Sequence, residues 1–272
     1  MTIIRLGNRA KSSLLGISPF IIVVIVWQIA TSSGLIKPYF LPRPMEVLLV
    51  LYDHVIRGTL WSDMLSSFYR VIVGYALAVV VGVPIGIALG EFRRFRSFFE
   101  SFNNFVRYTP LPAFIPLVVL WVGIGDANPI TVIFLGVFWS LIVLVGDSVS
   151  NVPIQHIELA RTLGLSKLKC LLHVVLPFSF PGIYDAMRVG AGWAWSSLVL
   201  AEIVGSNTGI GHMLMESQRF LKTANVISGI ILVGLLGLTV DQLFAWGYTR
   251  LFPWTERARQ AGQANQYVAV GK

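Results

Sequence analysis

Charge is scarce in this 272-residue chain: Asp, Glu, Lys and Arg make up 12% of it, against 55% hydrophobic residues. Soluble domains carry about 25% charged residues, and the mean hydropathy is +0.74, so a water-exposed globule is excluded. There is one cysteine, Cys170. A disulfide within the chain is therefore ruled out, and a buried structural thiol is the expectation. The four histidines, His54, His156, His173 and His212, fall at no ligand spacing, so no metal site is predicted. No Gly-x-x-x-x-Gly-Lys-Ser/Thr stretch is present to cradle a phosphate, and no Ser-His-Asp set can be assembled. The sequence offers no catalytic residue and no cofactor of its own.

What is present is apolar length. Crossing a hydrocarbon core takes about 20 residues per helix, and six runs qualify, at about 14–33, 63–90, 106–125, 129–148, 181–204 and 226–248. In lipid each backbone must satisfy its own hydrogen bonds, which leaves helices or a closed barrel. The runs are continuous and lack two-residue alternation, so the fold class is an all-α membrane protein with six transmembrane helices. With the N-terminus inside, fifteen of the 21 Lys and Arg residues fall on the inner side and five outside, with Arg70 within the second run. By the positive-inside rule both termini are cytoplasmic. The same bias accounts for the net charge of +8, so nucleic acid is not needed as a partner. Leu14 to Ala30 is longer than a signal core of about 7–15 residues, so the first run is expected to stay as a span. The organisation is a cytoplasmic segment 1–13, one permease domain 14–250 and a cytoplasmic tail 251–272.

Between runs one and two, Pro38 and Pro42 forbid helix, and Pro44 suits the first position of a short helix through Val55, either lying at the outer surface or packed against the bundle as a brace. Run two carries Gly74, Gly82, Gly86 and Gly90, spaced for close helix approach, with Pro84 among them. Glu91 to Arg107 reads as an inner-interface connection with a phenylalanine stripe at 95, 98, 99, 102 and 105. Pro110, Pro112 and Pro116 at the entrance of run three mark mobility or a cavity, or simply packed irregular backbone.

The most informative stretch is a polar island at 153–177. Gln155 to Leu163 favours helix, Gly164 supplies a left-handed stop, and Ser166 is placed to cap a second helix from Lys167 to about Val175. Pro177 and Pro181 are expected to end that helix before run five. An island of this kind, without chemistry of its own and facing water, is suited to gripping another protein.

This stretch resembles the signature of membrane subunits of ABC importers of the type I fold: Glu-Ala-Ala, three residues, Gly, nine residues, Ile, one residue, Leu-Pro. Glu158, Ala160, Gly164, Leu176 and Pro177 match at the right spacing, while Leu159 and Val174 are mild departures. Ser66 to Val71, Thr109 to Ala113, Ala201 to Val204 and Gly209 to Gly211 resemble the subfamily that handles nitrate, bicarbonate, sulfonates and taurine, over about residues 14–250. The resemblance implies a bacterial inner-membrane permease whose coupling helix, Glu158 to Gly164 with Glu158 and Arg161 as polar anchors, seats on a cytoplasmic ATPase. Two such ATPase subunits would bind ATP and Mg. It further implies a second permease subunit and a periplasmic or lipid-anchored substrate-binding protein.

One six-span subunit is too narrow to enclose a passage, and run five is its candidate wall. Ala186, Gly190, Ala194, Ser197 and Ala201 form a small-residue stripe that suits close packing, a passage, or both. Glu202 at its outer end reads as a gate or as a brace for the Gly205–Gly211 loop, bracing being preferred because a carboxylate repels anions. Asp185 and Arg188 read as a pair on one helix. The rival functions are an ATP-independent secondary transporter or channel, disfavoured by the near absence of mid-membrane charges, and a membrane enzyme, disfavoured by the lack of a polar cluster at one depth.

Overall fold

The computed structural model describes residues 18–34 and 36–255. The predicted segment 1–13, the first residues of run one and the tail beyond residue 255 lie outside the described residues. The helices in chain order are α1 (Ser18–Ser32), α2 (Pro44–Ile56), α3 (Thr59–Glu91), α4 (Arg93–Tyr108), α5 (Ile115–Val122), α6 (Ala127–Ser150), α7 (Ile154–Thr162), α8 (Lys167–Cys170), α9 (Leu176–Gly205), α10 (Ile210–Arg219) and α11 (Thr223–Leu251). Among the described residues there is no strand. Four helices are long and apolar enough to cross a membrane, or five if α4 and α5, bent by 90° at their junction, count as one broken span.

Contacts group the chain into two compact units. The first comprises residues up to Ser62 with Met213–Leu232. In it, Pro44 does open α2, and the Arg43 N–H donates to the Glu46 carboxylate at 3.3 Å. The Trp27 indole N–H donates to the Pro42 carbonyl at 2.9 Å, and the Thr223 hydroxyl to the Tyr39 carbonyl at 2.7 Å, so the proline-rich connection is fastened at both of its ends.

The second unit, Asp63–His212 with the described residues from Val233 onward, is organised around α6. Buried residues occur on every turn of α6, from Val132 and Ile133 through Val137, Leu141 and Val145 to Val149. Polar and apolar residues do not alternate along it because it meets protein on several sides. The α3 glycines face it. A methyl group added at Gly86 would fall 2.7 Å from Val145 Cβ, one at Gly74 2.8 Å from the Ile130 carbonyl, and one at Gly90 2.6 Å from the Gly146 carbonyl. On its other side α6 meets α9, where Ala186, Gly190, Ala194, Ser197 and Ala201 are all buried. Gly136 of α6 sits directly against Ser197. Without a hydrophobic drive between helices in lipid, this intimacy supplies the van der Waals energy that holds them together. Of the two roles the sequence allows for the stripe, the geometry carries close packing, and α6 fills the space beside it.

One expectation is extended and one corrected. The phenylalanine stripe also has a packing role that the sequence did not announce: Phe99 and Phe102 pack on Trp139 of α6, with ring centroids 6.3 and 5.6 Å away, and α4 turns by 90° into α5. Pro110 and Pro112 make the break, with a 3-10 turn over Leu111–Phe114 between the limbs. Pro177 and Pro181 do not end the second island helix. Lys167–Gly205 is one continuous 39-residue helix, with a π-helical turn at Leu171–Val175. The carbonyl that the Pro177 ring would strike, that of His173, lies inside this wider turn, which gives the ring room.

Close packing at α3–α6 predicts that Gly86→Ala lowers the melting temperature of the solubilised protein, by about 1–3 kcal/mol of overpacking. Gly234→Ala, where nothing lies within 4 Å of the added carbon, should leave it unchanged or raise it. Equal melting of the two variants would refute the packing account.

Candidate docking site and buried charge network

The island folds as its residues dictate. α7 ends in a left-handed turn with φ +81° at Gly164. The Gly164 N–H donates to the Arg161 carbonyl at 2.9 Å and the Leu165 N–H to the Ala160 carbonyl at 3.1 Å. These are the paired bonds of a Schellman cap, which fixes the exit angle of the chain. Ser166 occupies the N-cap position of α8, but its hydroxyl makes no capping bond; its carbonyl accepts from the Cys170 N–H at 2.8 Å. Cys170 is buried, as a structural thiol should be.

Burial divides the signature residues. Ala160 is 6% exposed and anchors α7 to the core. Glu158, Leu159, Arg161, Leu163 and Gly164 are exposed, and Leu163 is 73% so. Ala160, Leu159, Leu163 and Pro177 line one apolar groove of 790 Å³ together with His156, His173 and Trp254. Arg161 lines a separate cleft of 210 Å³ with Glu91 and Lys167. Leu176 is half-buried at the start of α9. The fold thus draws residues 17 positions apart in sequence, Ala160 and Pro177, into one surface, with an apolar floor and charged side chains about it.

A second cluster lies at the opposite end of α9. Glu202 is 0% exposed and Arg70 2%. The Glu202 carboxylate accepts from Arg70 Nη1 at 2.6 Å, from the Ser67 hydroxyl at 2.8 and 2.9 Å, and from the Gly211 N–H at 2.8 Å. Arg70 also donates to the Thr208 carbonyl and hydroxyl, both at 2.7 Å, and through Nε and Nη2 to Asp126 Oδ1 at 2.8 and 2.6 Å. All five of its N–H donors are therefore engaged. The Ser67 oxygen accepts the Ile210 N–H at 2.9 Å, and Asp63 accepts the Gly209 N–H at 2.9 Å. Gly209, with φ +105°, lies so close that any side chain would run into Glu202 and Arg70. Glu202 therefore holds the Gly205–Gly211 loop, and its carboxylate is closed within that hydrogen-bonded set. Sequence reasoning placed Glu202 but missed Ser67, Arg70 and Asp126 as its companions. The available signal was that rare intramembrane charges of opposite sign pair with one another.

Arg188 is the other case. Beside the Coulombic attraction of Asp185 on its own helix, it forms two 2.6 Å bonds to the Asp241 carboxylate of α11, a bidentate geometry that fixes orientation as well as charge.

Removing one partner of a buried pair strands the other, at about 3–5 kcal/mol. Arg70→Met should therefore destabilise the protein by that order and make the Gly205–Gly211 loop sensitive to protease. Arg70→Met/Glu202→Leu should cost less than the sum of the single changes. Additive losses in a double-mutant cycle would show that the pair does not act as a unit.

Comparison with known proteins places the fold. The family described as "Binding-protein-dependent transport system inner membrane component" matches residues 82–255. The chain is similar to the taurine transport system permease protein TauC of Escherichia coli (strain K12), 31% identical over 88% of this chain and 89% of TauC. It is 32% identical to the putative aliphatic sulfonates transport permease protein SsuC of the same organism, over 87% of this chain and 91% of SsuC. In fold it is similar to a chain of the inward-facing MetNI methionine ABC transporter, with a TM-score of 0.59 at 19% identity over 70% of this chain and 96% of that one. With a matched family over most of its length, an all-helical type I importer fold and a multi-pass apolar bundle, this chain belongs to the inner-membrane permease family of binding-protein-dependent ABC transporters.

Proposed function

We propose that this permease is one wall of an ATP-driven importer for a small anion of the nitrate, bicarbonate or sulfonate/taurine type, sulfonate being favoured, in a bacterial inner membrane. The observation that carries the reading is α7: a Schellman-capped helix that exposes Glu158, Leu159, Arg161 and Leu163 beside an apolar groove. An exposed apolar surface with a polar rim is what a partner protein needs. In this reading the chain has six spans with both termini in the cytoplasm, α1 being the first span and α4 with α5 the third. α7 seats on one of two ATPase subunits, which bind ATP and Mg and hydrolyse the nucleotide. A second permease subunit completes the passage. The open face of α9 at Gly192, Ser196 and Leu200 lines it, in place of the stripe that α6 occupies. A periplasmic or lipid-anchored binding protein delivers the solute to the outer loops. The sulfonate class follows from the similarity to TauC and SsuC.

ATP and ADP favour different arrangements of the ATPase pair, and the permease follows through α7 because each state holds it differently. Gly164→Asp, which places a side chain at φ +81°, and Glu158→Lys should each reduce uptake of radiolabelled solute in cells by about tenfold or more, the scale of losing one interface hot spot. The amount of protein in the membrane should be unchanged. Normal uptake in both variants would sink the docking assignment.

A further inference from the structure

Between α4 and α6, at the end of α6 that leads into α7, lies a cavity of 290 Å³. Its polar wall holds Arg96, Glu100, Asn103, Asn104, Arg107 and Asp147. Asn103 is 2% exposed, and neither Oδ1 nor Nδ2 of its carboxamide has a hydrogen-bonding partner. A buried amide left unpartnered costs about 1–3 kcal/mol, and native proteins tolerate few of them. In a cavity wall, such a carboxamide is a group that a polar ligand could satisfy. The charges there are unevenly committed. Arg96 is engaged by Asp147 at 3.0 Å and by the Ser150 hydroxyl at 3.2 Å. Arg107 has only a 3.4 Å contact with Asn104 and a place over the Tyr108 ring. Glu100 pairs with nothing among the described residues. Glu100 and Arg107 are seven positions apart, two turns of one helix face, with the two carboxamides between them. The wall thus presents one uncommitted cation, one uncommitted anion and hydrogen-bonding amides in the gap. A simple anion would satisfy Arg107 and be repelled by Glu100.

The cavity also lies beside the 90° bend between α4 and α5. Arg107 and Tyr108 are shared with a second cavity of 430 Å³ that follows the chain around the bend at Pro110.

From this geometry we propose that the α4–α6 cavity binds a small zwitterion, an oxyanion and a primary ammonium separated by a short alkyl link. The oxyanion lies on Arg107 and the amides of Asn103 and Asn104, and the ammonium lies on Glu100. Two sources share this chemistry, an aminoalkane sulfonate passing through and the headgroup of an ethanolamine phospholipid. The solute source rests on the transport reading above; the lipid source does not.

The assembled transporter in phosphatidylglycerol nanodiscs, without nucleotide or binding protein, should bind radiolabelled taurine saturably. Arg107→Gln should weaken taurine and ethanesulfonate alike, by about tenfold or more. Glu100→Gln should weaken taurine by as much and leave ethanesulfonate, which lacks the ammonium, unchanged or tighter. Both side chains are exposed, so neither change threatens folding. Asn103→Leu should abolish binding without lowering the melting temperature, since an orphan amide is replaced by an apolar isostere. If the source is lipid, native mass spectrometry from nanodiscs of mixed phosphatidylethanolamine and phosphatidylglycerol should show ethanolamine lipid retained by the wild type and lost from Glu100→Gln and Arg107→Gln. Equal binding of both probes by wild type and variants overturns the site. Uptake by the complete transporter, measured on the same variants, separates the two failures: no binding with normal ATP-dependent uptake removes the site and leaves the importer standing.

Discussion

The structure depends on how closely α3 and α9 approach α6. In lipid, apolar side chains gain nothing by leaving their surroundings for one another, so a bundle must be held by contact quality. Here that quality comes from what is missing: side chains at Gly74, Gly86 and Gly90 on one flank and at Gly136 on the other. With α6 gripped from both sides, the remaining pieces have a fixed reference. The broken span leans on it through Trp139, and α7 hangs from its end after Asn151 and Pro153.

The polar contacts have a different task. Arg70, Glu202 and Asp126 lie where the helices give way to loops, and a buried loop has backbone groups that must find partners within the protein. The N–H groups of Gly209, Ile210 and Gly211 find Asp63, Ser67 and Glu202 in turn. The ion pair is thus as much a socket for irregular backbone as an attraction between charges. The Arg188–Asp241 bridge, by contrast, joins two regular helices and fixes their rotation about one another.

Much of this was legible in the sequence because it is local. The glycine spacing of α3, the left-handed stop at Gly164 and the opening of α2 at Pro44 each follow from the conformational limits of a single residue type. Long-range partnerships were not legible. Arg70 stands 56 residues from Asp126 and 132 from Glu202, and nothing in a linear pattern reports that three side chains share a depth and an azimuth. The small-residue stripe of α9 announced a close neighbour without saying which one. The run from Lys167 to Gly205 was misjudged for another reason. Proline was taken as a terminator, whereas a π turn just upstream absorbs it, and such a turn is a matter of accommodation among neighbours rather than of propensity.

That uninterrupted helix has a mechanical corollary. At 1.5 Å per residue its 39 residues reach roughly 58 Å, a single strut with the knuckle proposed as the docking site at its foot and the charge-locked loop at its head. Over such a length, one degree of tilt moves the far end by about 1 Å. A nudge too small to disturb any packing at the foot would therefore arrive at the head as a displacement comparable to the slack in a hydrogen bond. Leverage, more than any relay of rearranging side chains, is what this architecture supplies.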